Sequence, residues 1–218
     1  VLFSKVDGNF PNHHPDPTRI ENLNELKNKI LKLNADFGIA FDGDGDRIGI
    51  MDNMGNLVPG DLLTAFLSLS INDKNSSVIL DVKSSLVAKN KIERMGFNVD
   101  IWKTGHSNIK SRMLMTKCFL AGEMSGHIFF ADKYFGYDDA IYASLRFIKL
   151  IFNNFDINKF ISNLEKSFPT PEIKITCPDE IKFEIVKKIT LKLKNKYNEK
   201  QLLLIDGVRV SFDFGWFL

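Results

Sequence analysis

Three aspartates at alternate positions, separated only by glycines, follow directly on the apolar run 37–41. The segment 42–47 is Asp-Gly-Asp-Gly-Asp-Arg, so a strand must end where three carboxylates begin. Because glycine has no Cβ atom, the backbone can curl until the three side chains converge instead of alternating across a strand. Crowded carboxylates repel one another unless a cation neutralises them, and their oxygens suit Mg²⁺ or Ca²⁺. The sequence therefore predicts a loop for a hard divalent cation, with Asp42, Asp44 and Asp46 as ligands.

The spacing of this loop excludes an EF-hand. Such a loop needs Gly at position six and Glu at position twelve, where this chain has Arg47 and Asn53. A plain polar turn is the remaining alternative, although a turn gains nothing from three clustered charges. Arg47 beside a cation is unfavourable unless an anion joins the two, and arginine favours phosphate. The loop therefore predicts a metal together with a phosphorylated ligand.

The composition is that of an ordinary globular chain. Its 218 residues are 44% hydrophobic and 26% charged, which allows one large domain or two small ones. A net charge of +2, from 29 basic and 27 acidic residues, predicts no nucleic-acid or membrane surface. With no apolar run near the roughly 18 residues of a membrane span and no leader, we expect a cytoplasmic protein. Cys118 and Cys177 lack metal-ligand spacing and are expected to be reduced core residues.

Hydrophobic periodicity predicts helices that alternate with strands. This alternation predicts an α/β fold with mostly parallel sheets. A Pro-rich linker is expected at 168–171 and a hairpin at Asp206-Gly207. The expected strands are 37–41, 48–51, 77–82, 98–102, 118–122 and 172–176, with two more at the hairpin, and the expected helices are 20–33, 60–71, 85–95, 107–115, 138–153, 157–165 and 179–195.

Polar clusters follow three of these strands, at the position where open α/β sheets place ligands. Lys83 suits a phosphate or hydroxyl partner, or a general acid if its pKa is lowered; an ordinary surface lysine is the alternative. His106 closes a Lys-Thr-Gly-His segment and suits acid or base chemistry near neutral pH. Both residues are therefore candidates for a reacting centre.

The third cluster, 122–127, is Gly-Glu-Met-Ser-Gly-His. Glu123 and Ser125 can exchange hydrogen bonds with neighbouring sugar hydroxyls. A catalytic Ser-His pair is the competing interpretation, but a nucleophile elbow would be Gly-x-Ser-x-Gly. Asp138 and Asp139 are expected to be structural, because acidic residues favour the first turn of a helix.

Together these motifs resemble the α-D-phosphohexomutases, and the resemblance covers nearly the whole chain. Within that superfamily the chain is most similar to the bacterial phosphomannomutase/phosphoglucomutase group, since phosphoglucosamine mutases usually carry glutamine at the position of Met124. The motifs, in chain order, are Asp-Gly-Asn-Phe-Pro-Asn-His-His-Pro at 7–15, Asp-Gly-Asp-Gly-Asp-Arg at 42–47, Asp-Val-Lys at 81–83, Lys-Thr-Gly-His at 103–106 and Gly-Glu-Met-Ser-Gly-His at 122–127.

The resemblance implies an enzyme, an intramolecular phosphotransferase that interconverts hexose 1-phosphate and hexose 6-phosphate of mannose, glucose or both. It implies a small-molecule sugar phosphate as partner, Mg²⁺ as cofactor and hexose 1,6-bisphosphate as bound intermediate. By motif, Asp42, Asp44 and Asp46 would be the metal ligands. The catalytic residues implied are Lys83, His106 and Arg47, and the substrate-binding residues are Glu123, Ser125, His127 and Lys103.

The family's phosphoserine loop and its carboxyl-terminal phosphate-binding loop have no match in this sequence. Together with a start at Val1 and a stop inside the strand-like run 214–218, this predicts a fragment that is inactive alone. The expected parts are 1–56 from a second domain with the metal loop, 57–168 as a third with the sugar-recognition loop, and 169–218 as the start of an α+β carboxyl-terminal domain. A phosphoglucosamine mutase and a non-catalytic sugar-phosphate-binding relative remain alternatives, and the oligomeric state stays open.

Overall fold

The computed structural model describes residues 1–168, 170, 173 and 175–218. Helices and strands alternate along most of the described chain. The helices are α1 (Asn24–Leu33), α2 (Gly60–Leu67), α3 (Leu86–Arg94), α4 (His106–Thr116), α5 (Ala140–Phe152), α6 (Ile157–Ser162) and α7 (Asp179–Lys196). The strands are β1 (Phe37–Phe41), β2 (Ile48–Asp52), β3 (Leu57–Val58), β4 (Ser77–Asp81), β5 (Asn98–Trp102), β6 (Leu120–Gly122), β7 (Ile128–Phe130), β8 (Leu202–Leu203), β9 (Arg209–Phe212) and β10 (Gly215–Phe217).

These strands form three sheets. The amino-terminal sheet has the order β1-β2-β3 and is antiparallel, so Phe41 pairs with Ile48 across the segment 42–47. The central sheet has the order β5-β4-β6-β7, with β4 parallel to both β5 and β6 and with β7 antiparallel. The carboxyl-terminal sheet, β10-β9-β8, is antiparallel. The expected α/β class is confirmed, and parallel pairing among the described residues is confined to the central sheet.

Helix α2 forms the centre of the core. It packs against α3, α5 and β6, and nearly all of its residues are buried. Phe66 of α2 meets Phe147 of α5 with ring centroids 5.5 Å apart, and Phe37 of β1 meets the same ring at 5.1 Å. Buried aromatic rings contribute large apolar areas, so these contacts also hold the amino-terminal sheet against the central unit.

Side-chain caps fix where several helices begin. Ser85 accepts a hydrogen bond from the amide of Ala88 at 3.1 Å, and Asp139 accepts one from the amide of Tyr142 at 2.8 Å. Such caps satisfy amide groups that have no partner inside the helix. Helix α5 therefore begins after Asp139, and not at 138 as the periodicity predicts.

Several boundaries differ from the sequence expectation. The first turn of the expected helix 20–33 is a 3₁₀ helix, Ile20–Leu23. Strands β3 and β7 were not predicted, because runs of two or three residues carry too little periodicity to be recognised, whereas β10 lies within the strand-like run 214–218. Pro169 and Pro171 of the expected linker lie outside the described residues, as do 172 and 174 of the strand expected at 172–176.

Two further expectations concern single side chains and membrane association. Cys118 is buried as expected, whereas Cys177 is partly exposed, and neither forms a disulfide in the described part of the chain. Among the helices that the structure describes, none has both the length and the apolar character to cross a bilayer.

Candidate active site

The segment between β1 and β2 curls around one carboxylate. Oδ1 of Asp42 accepts hydrogen bonds from the backbone amides of Gly45, Asp46 and Arg47 at 3.0, 3.1 and 3.1 Å. The curl brings carboxylate oxygens of Asp42, Asp44 and Asp46 within 4.8 Å of one another. Three convergent oxygen donors are the ligand type that a hard divalent cation prefers. The predicted cation loop therefore has a geometry that fits such an ion.

The pKa values of two aspartates in this loop are shifted in opposite directions. Burial opposes ionisation of Asp42, but hydrogen bonds from the side chain and backbone of Arg47 outweigh it and lower the Asp42 pKa. The Asp46 pKa is raised, first by burial and then by the neighbouring Asp42 carboxylate. A carboxyl group that resists ionisation beside other carboxylates is stabilised when a cation arrives. The electrostatics thus agree with the donor set in fitting a divalent ion.

Arg47 is held between two carboxylates. Its Nε donates to Oδ2 of Asp42 at 2.7 Å, and one terminal nitrogen lies 3.4 Å from Oδ1 of Asp16. Asp16 belongs to the proline-rich segment 10–17, and sequence reasoning missed it because no periodic pattern marks that segment. The guanidinium stays a quarter exposed. Arg47 is therefore fixed beside the cation loop with room left for an anion.

The three polar clusters that follow strands β4, β5 and β6 all lie at the same edge of the central sheet. Asp81 at the end of β4 pairs in register with Trp102 at the end of β5, so the segments containing Lys83 and Lys103 start side by side. Gly122 of β6 pairs with Leu80, which places the segment 123–127 next to them. Carboxyl ends of parallel strands are where open α/β sheets bind ligands. The topology therefore brings the predicted site segments to a common edge.

His127 joins this edge to the cation loop. Its Nε2 lies 3.4 Å from Oδ2 of Asp46, and its Nδ1 lies 3.0 Å from Oε2 of Glu123 and 2.8 Å from Oγ of Ser125. Burial opposes protonation of this ring, but the hydrogen bond and the charge of Glu123 outweigh burial and raise the His127 pKa. The imidazole therefore lies between carboxylates of the two segments.

Glu123 braces two of the strand-end segments. Its side chain is only 1% exposed, and Oε1 accepts the backbone amide of Gly105 at 2.5 Å. Gly105 has φ +113°, a conformation that residues with a side chain rarely adopt. Both carboxylate oxygens of Glu123 are thus engaged within the protein, one with Gly105 and the other near His127.

A further cluster surrounds His106, the first residue of α4. Lys110 Nζ lies 3.1 Å from His106 Nδ1 and 3.1 Å from Oδ1 of Asp138. The other oxygen of Asp138 lies 3.6 Å from His106 Nδ1. The imidazole is about half exposed and stacks on His127 with ring centroids 6.2 Å apart. His106 thus has fixed partners on one side and an open face on the other.

Sequence reasoning missed Lys110 and misjudged Asp138. Lys110 stands four residues after His106, a spacing that places both on one helix face and that gives a usable signal once α4 is recognised. Asp138 was expected to serve the helix dipole, but Asp139 performs the capping, and the buried Asp138 carboxylate faces His106 and Lys110 instead.

Asp81 and Lys83 belong to the last of the predicted site segments. Asp81 is fully buried, accepts a hydrogen bond from Oγ of Ser84 at 2.6 Å, and has a pKa raised to about 6 mainly by burial. Lys83 is half-buried and its charge counteracts part of that shift. A lysine therefore follows β4 two residues after a buried carboxyl group whose ionisation is disfavoured.

Comparison with protein families gives two matches in chain order. Residues 2–55 match the phosphoglucomutase/phosphomannomutase alpha/beta/alpha domain II, and residues 59–168 match domain III of the same family. Among curated proteins, the phosphomannomutase/phosphoglucomutase of Pseudomonas syringae pathovar tomato is 42% identical over 218 residues, covering 99% of this chain and 46% of that protein. The Neisseria gonorrhoeae phosphoglucomutase is 38% identical, with 99% and 47% covered.

The structural comparison agrees with these matches. The X-ray crystal structure of a phosphoglucomutase/phosphomannomutase family protein from Burkholderia thailandensis superposes with a TM-score of 0.88 at 34% identity, covering 99% of this chain and 46% of that one. The chain spans about half the length of the curated relatives it matches. A metal ion is implied by this family, and the acidic loop at 42–47 offers it a site. Sequence, domain order and fold all agree: the chain belongs to the phosphoglucomutase/phosphomannomutase family.

Proposed function

We propose that the full-length protein is a phosphohexomutase that interconverts hexose 1-phosphate and hexose 6-phosphate, of mannose, glucose or both, through a bound hexose 1,6-bisphosphate. The observation that supports this most directly is the junction at His127, where the cation loop meets the loops that leave the central sheet. A metal site beside an arginine and a cluster of polar loops suits phosphoryl transfer, which needs alignment and charge neutralisation above all.

In this proposal Asp42, Asp44 and Asp46 would hold Mg²⁺, which would supply neutralisation of phosphoryl charge. Asp42 shapes the loop through the three amides it accepts. Arg47 then binds phosphoryl oxygens, because its guanidinium is partly open and is held in place by Asp42.

Lys83 and His106 are proposed to lie beside the reacting hydroxyl. One of them takes the hydroxyl proton as the phosphoryl group arrives, and the other orients the oxygen. The open face of His106 and the fixed partners Lys110 and Asp138 on its other side support an acid or base role for the imidazole.

The segment 122–127 is proposed to recognise the sugar. Ser125 offers a partly exposed hydroxyl, and His127 orients it through the 2.8 Å contact between Oγ and Nδ1. Glu123 can accept hydrogen bonds from sugar hydroxyls only if a ligand displaces one of its present partners. Lys103, which is exposed after β5, is proposed to bind the sugar phosphate as a mobile point charge.

The domain assignment also remains a proposal. Residues 1–56 would be part of a second domain, 57–168 a third, and 169–218 the beginning of the fourth. The phosphoserine donor and a second phosphate-binding loop would come from elsewhere in the full-length protein. On this proposal the chain alone has no mutase activity.

The test is a coupled assay of the full-length protein with mannose 1-phosphate, Mg²⁺ and a trace of the 1,6-bisphosphate. We expect mannose 6-phosphate to form, with glucose 1-phosphate as a second substrate. If neither hexose phosphate is converted, the proposal is wrong. Faster conversion of glucosamine phosphate than of both neutral sugars would instead identify a phosphoglucosamine mutase.

A further inference from the structure

Arg209 of β9 reaches into the central unit and contacts the backbone on both sides of Lys83. It is 2% exposed, and one terminal nitrogen donates to the carbonyl of Val82 at 2.7 Å and to that of Ser84 at 2.9 Å. Two carbonyls held by one rigid, planar group fix the backbone between them. The residue between them is Lys83.

Other side chains hold this arginine in position. Its guanidinium carbon lies 4.1 Å from the centre of the Trp216 ring, within cation–π range. Burial lowers the Arg209 pKa to about 10, and the carboxylates of Asp81 and Asp61 counteract that shift, so the group stays charged at neutral pH. Loss of these two carbonyl acceptors would leave a charged, buried donor nitrogen without the partners that the described residues give it, which is strongly unfavourable.

Residues of the central unit also form hydrogen bonds with the segment 82–85. Oδ2 of Asp61 accepts the backbone amide of Ser85 at 2.8 Å, and Oδ1 of Asp81 accepts the hydroxyl of Ser84. Asp61 is itself buried at the start of α2. Within the part of the chain that the structure describes, the segment 82–85 is therefore anchored to the central unit by Asp61 and Asp81 and to the carboxyl-terminal sheet by Arg209.

A second hydrogen bond also joins the carboxyl-terminal region to the central unit. Oδ2 of Asp206, in the turn between β8 and β9, accepts the backbone amide of Thr104 at 3.2 Å. Thr104 lies two residues before His106. The carboxyl-terminal sheet thus contacts both segments that carry the candidate acid and base, with the buried Arg209 as the stronger of the two contacts.

We propose that Arg209 is a positioning residue: by bridging the carbonyls of Val82 and Ser84 it aligns Lys83, so that this alignment depends on docking of the carboxyl-terminal sheet. The role given to Lys83 rests on the proposed function, whereas the bridge itself does not. Arg209 is not itself in contact with the reacting groups; it acts through the backbone of Lys83.

The experiment compares Arg209→Lys and Arg209→Met in the full-length protein. Lysine keeps the charge but lacks the planar group, and methionine removes the charge. Arg112→Met is the matched control, because Arg112 likewise packs over a tryptophan, Trp102, but its guanidinium pairs with Asp100 and not with the carbonyls of Val82 and Ser84. Two quantities are measured: steady-state kcat and KM, and hydrogen exchange of the backbone amides in the segment 82–86.

We expect Arg209→Lys to lower kcat about tenfold or more while KM changes less than about threefold, since misalignment affects the reacting geometry more than binding. Exchange at Ser84 and Ser85 should rise in both Arg209 variants and stay unchanged in Arg112→Met. In a Lys83→Met background, Arg209→Lys should lower kcat less than about threefold, because the residue it acts through is gone. If Arg209→Met does not fold, Arg209→Lys alone decides the outcome.

Unchanged exchange at 82–86 in folded Arg209→Lys would overturn the proposal, as would an equal loss of kcat with and without Lys83. Altered exchange with normal kcat would also overturn it, since the bridge would then be structural only. A wild-type protein that converts no hexose phosphate would instead overturn the proposed function, and the exchange measurement would still decide whether Arg209 holds the segment.

Discussion

Nε2 of His127 lies 3.4 Å from Oδ2 of Asp46, although the two residues follow strands of different sheets. The other nitrogen of the same ring lies 3.0 Å from Glu123. The acidic loop 42–47 and the segment 122–127 therefore share one imidazole. A change in the charge of either segment acts on the other through this ring.

Replacing Asp44 by asparagine tests the cation loop with little risk to the fold. Asp44 is the exposed member of the three carboxylates, so Asp44→Asn should shift the melting temperature without Mg²⁺ by no more than about 2 °C. Loss of one charged ligand should weaken Mg²⁺ binding about tenfold or more, measured by calorimetry, and should lower kcat of the full-length protein at least as much. Asp36→Asn, at another exposed carboxylate, should change neither quantity. Normal Mg²⁺ affinity in Asp44→Asn would contradict the assigned ligand set.

The cluster at the start of α4 gives a second prediction. Lys110→Met should lower kcat about tenfold with little change in KM, because His106 loses one of its two fixed partners and the buried Asp138 carboxylate loses the ammonium group beside it, keeping only the two imidazoles of His106 and His127 nearby. Lys89→Met is the control, since Lys89 forms a comparable ion pair with Glu93 on the surface of α3. Equal effects of the two substitutions would show that Lys110 has no special role.

The buried carboxyl group of Asp81 predicts a particular pH dependence of stability. Its pKa rises from the ordinary 3.8 to about 6 because of burial, so between these values the folded protein binds a proton that the unfolded chain has released. Stability is therefore lost as the pH rises through this window, by at most about 3 kcal/mol, and the loss persists at neutral pH.

Asp81→Asn removes this titration. Its melting temperature relative to wild type should therefore rise by several degrees between pH 4 and pH 7, because the neutral amide pays no penalty for ionisation. Asp73→Asn, at an exposed carboxylate, should show a difference that is flat over the same range. A flat difference for Asp81→Asn would mean that the carboxyl group ionises normally.

Gly126 offers a steric test of the junction between the first two sheets. A Cβ atom there would lie 2.6 Å from the carbonyl oxygen of Ile48, and the residue also has φ +91°. Gly96 has nearly the same φ, +92°, with no atom within 4 Å of its Cβ position. Gly96→Ala therefore carries the backbone strain alone, about 1–3 kcal/mol. Gly126→Ala should destabilise by clearly more in denaturant unfolding and should also lower kcat; equal destabilisation would contradict the tight contact.

The sequence predicted those parts of the site that depend on one short segment alone. The three aspartates at 42–47 predict their own convergence, because the glycines between them let the backbone adopt the positive φ values that a tight curl requires, as Gly45 does with φ +75°. The strand-end positions of Lys83, His106 and Glu123 followed from the alternation of helices and strands. These features depend on local pattern and on the general topology of α/β sheets.

Features that depend on contacts between distant segments were not predictable. Asp138 differs from Asp139 only in where the first turn of α5 begins, a boundary that periodicity leaves uncertain by a residue or two. Arg209 lies in a short strand, and nothing in its neighbourhood in sequence indicates that it reaches the segment after β4. Such partners become visible only when tertiary packing brings them together.

The carbonyl of Gly45, inside the cation loop, accepts a 3.0 Å hydrogen bond from the amide of Ala140, the first residue of α5. The amide of Ile48, just after the loop, donates to the carbonyl of Gly126 at 3.0 Å. Hydrogen bonds from residues far along the chain therefore help to set the conformation of the loop. An excised peptide 37–52, or a graft of this segment onto another scaffold, would keep the three carboxylates but lose these hydrogen bonds. Its affinity for a cation is a property of the assembled units.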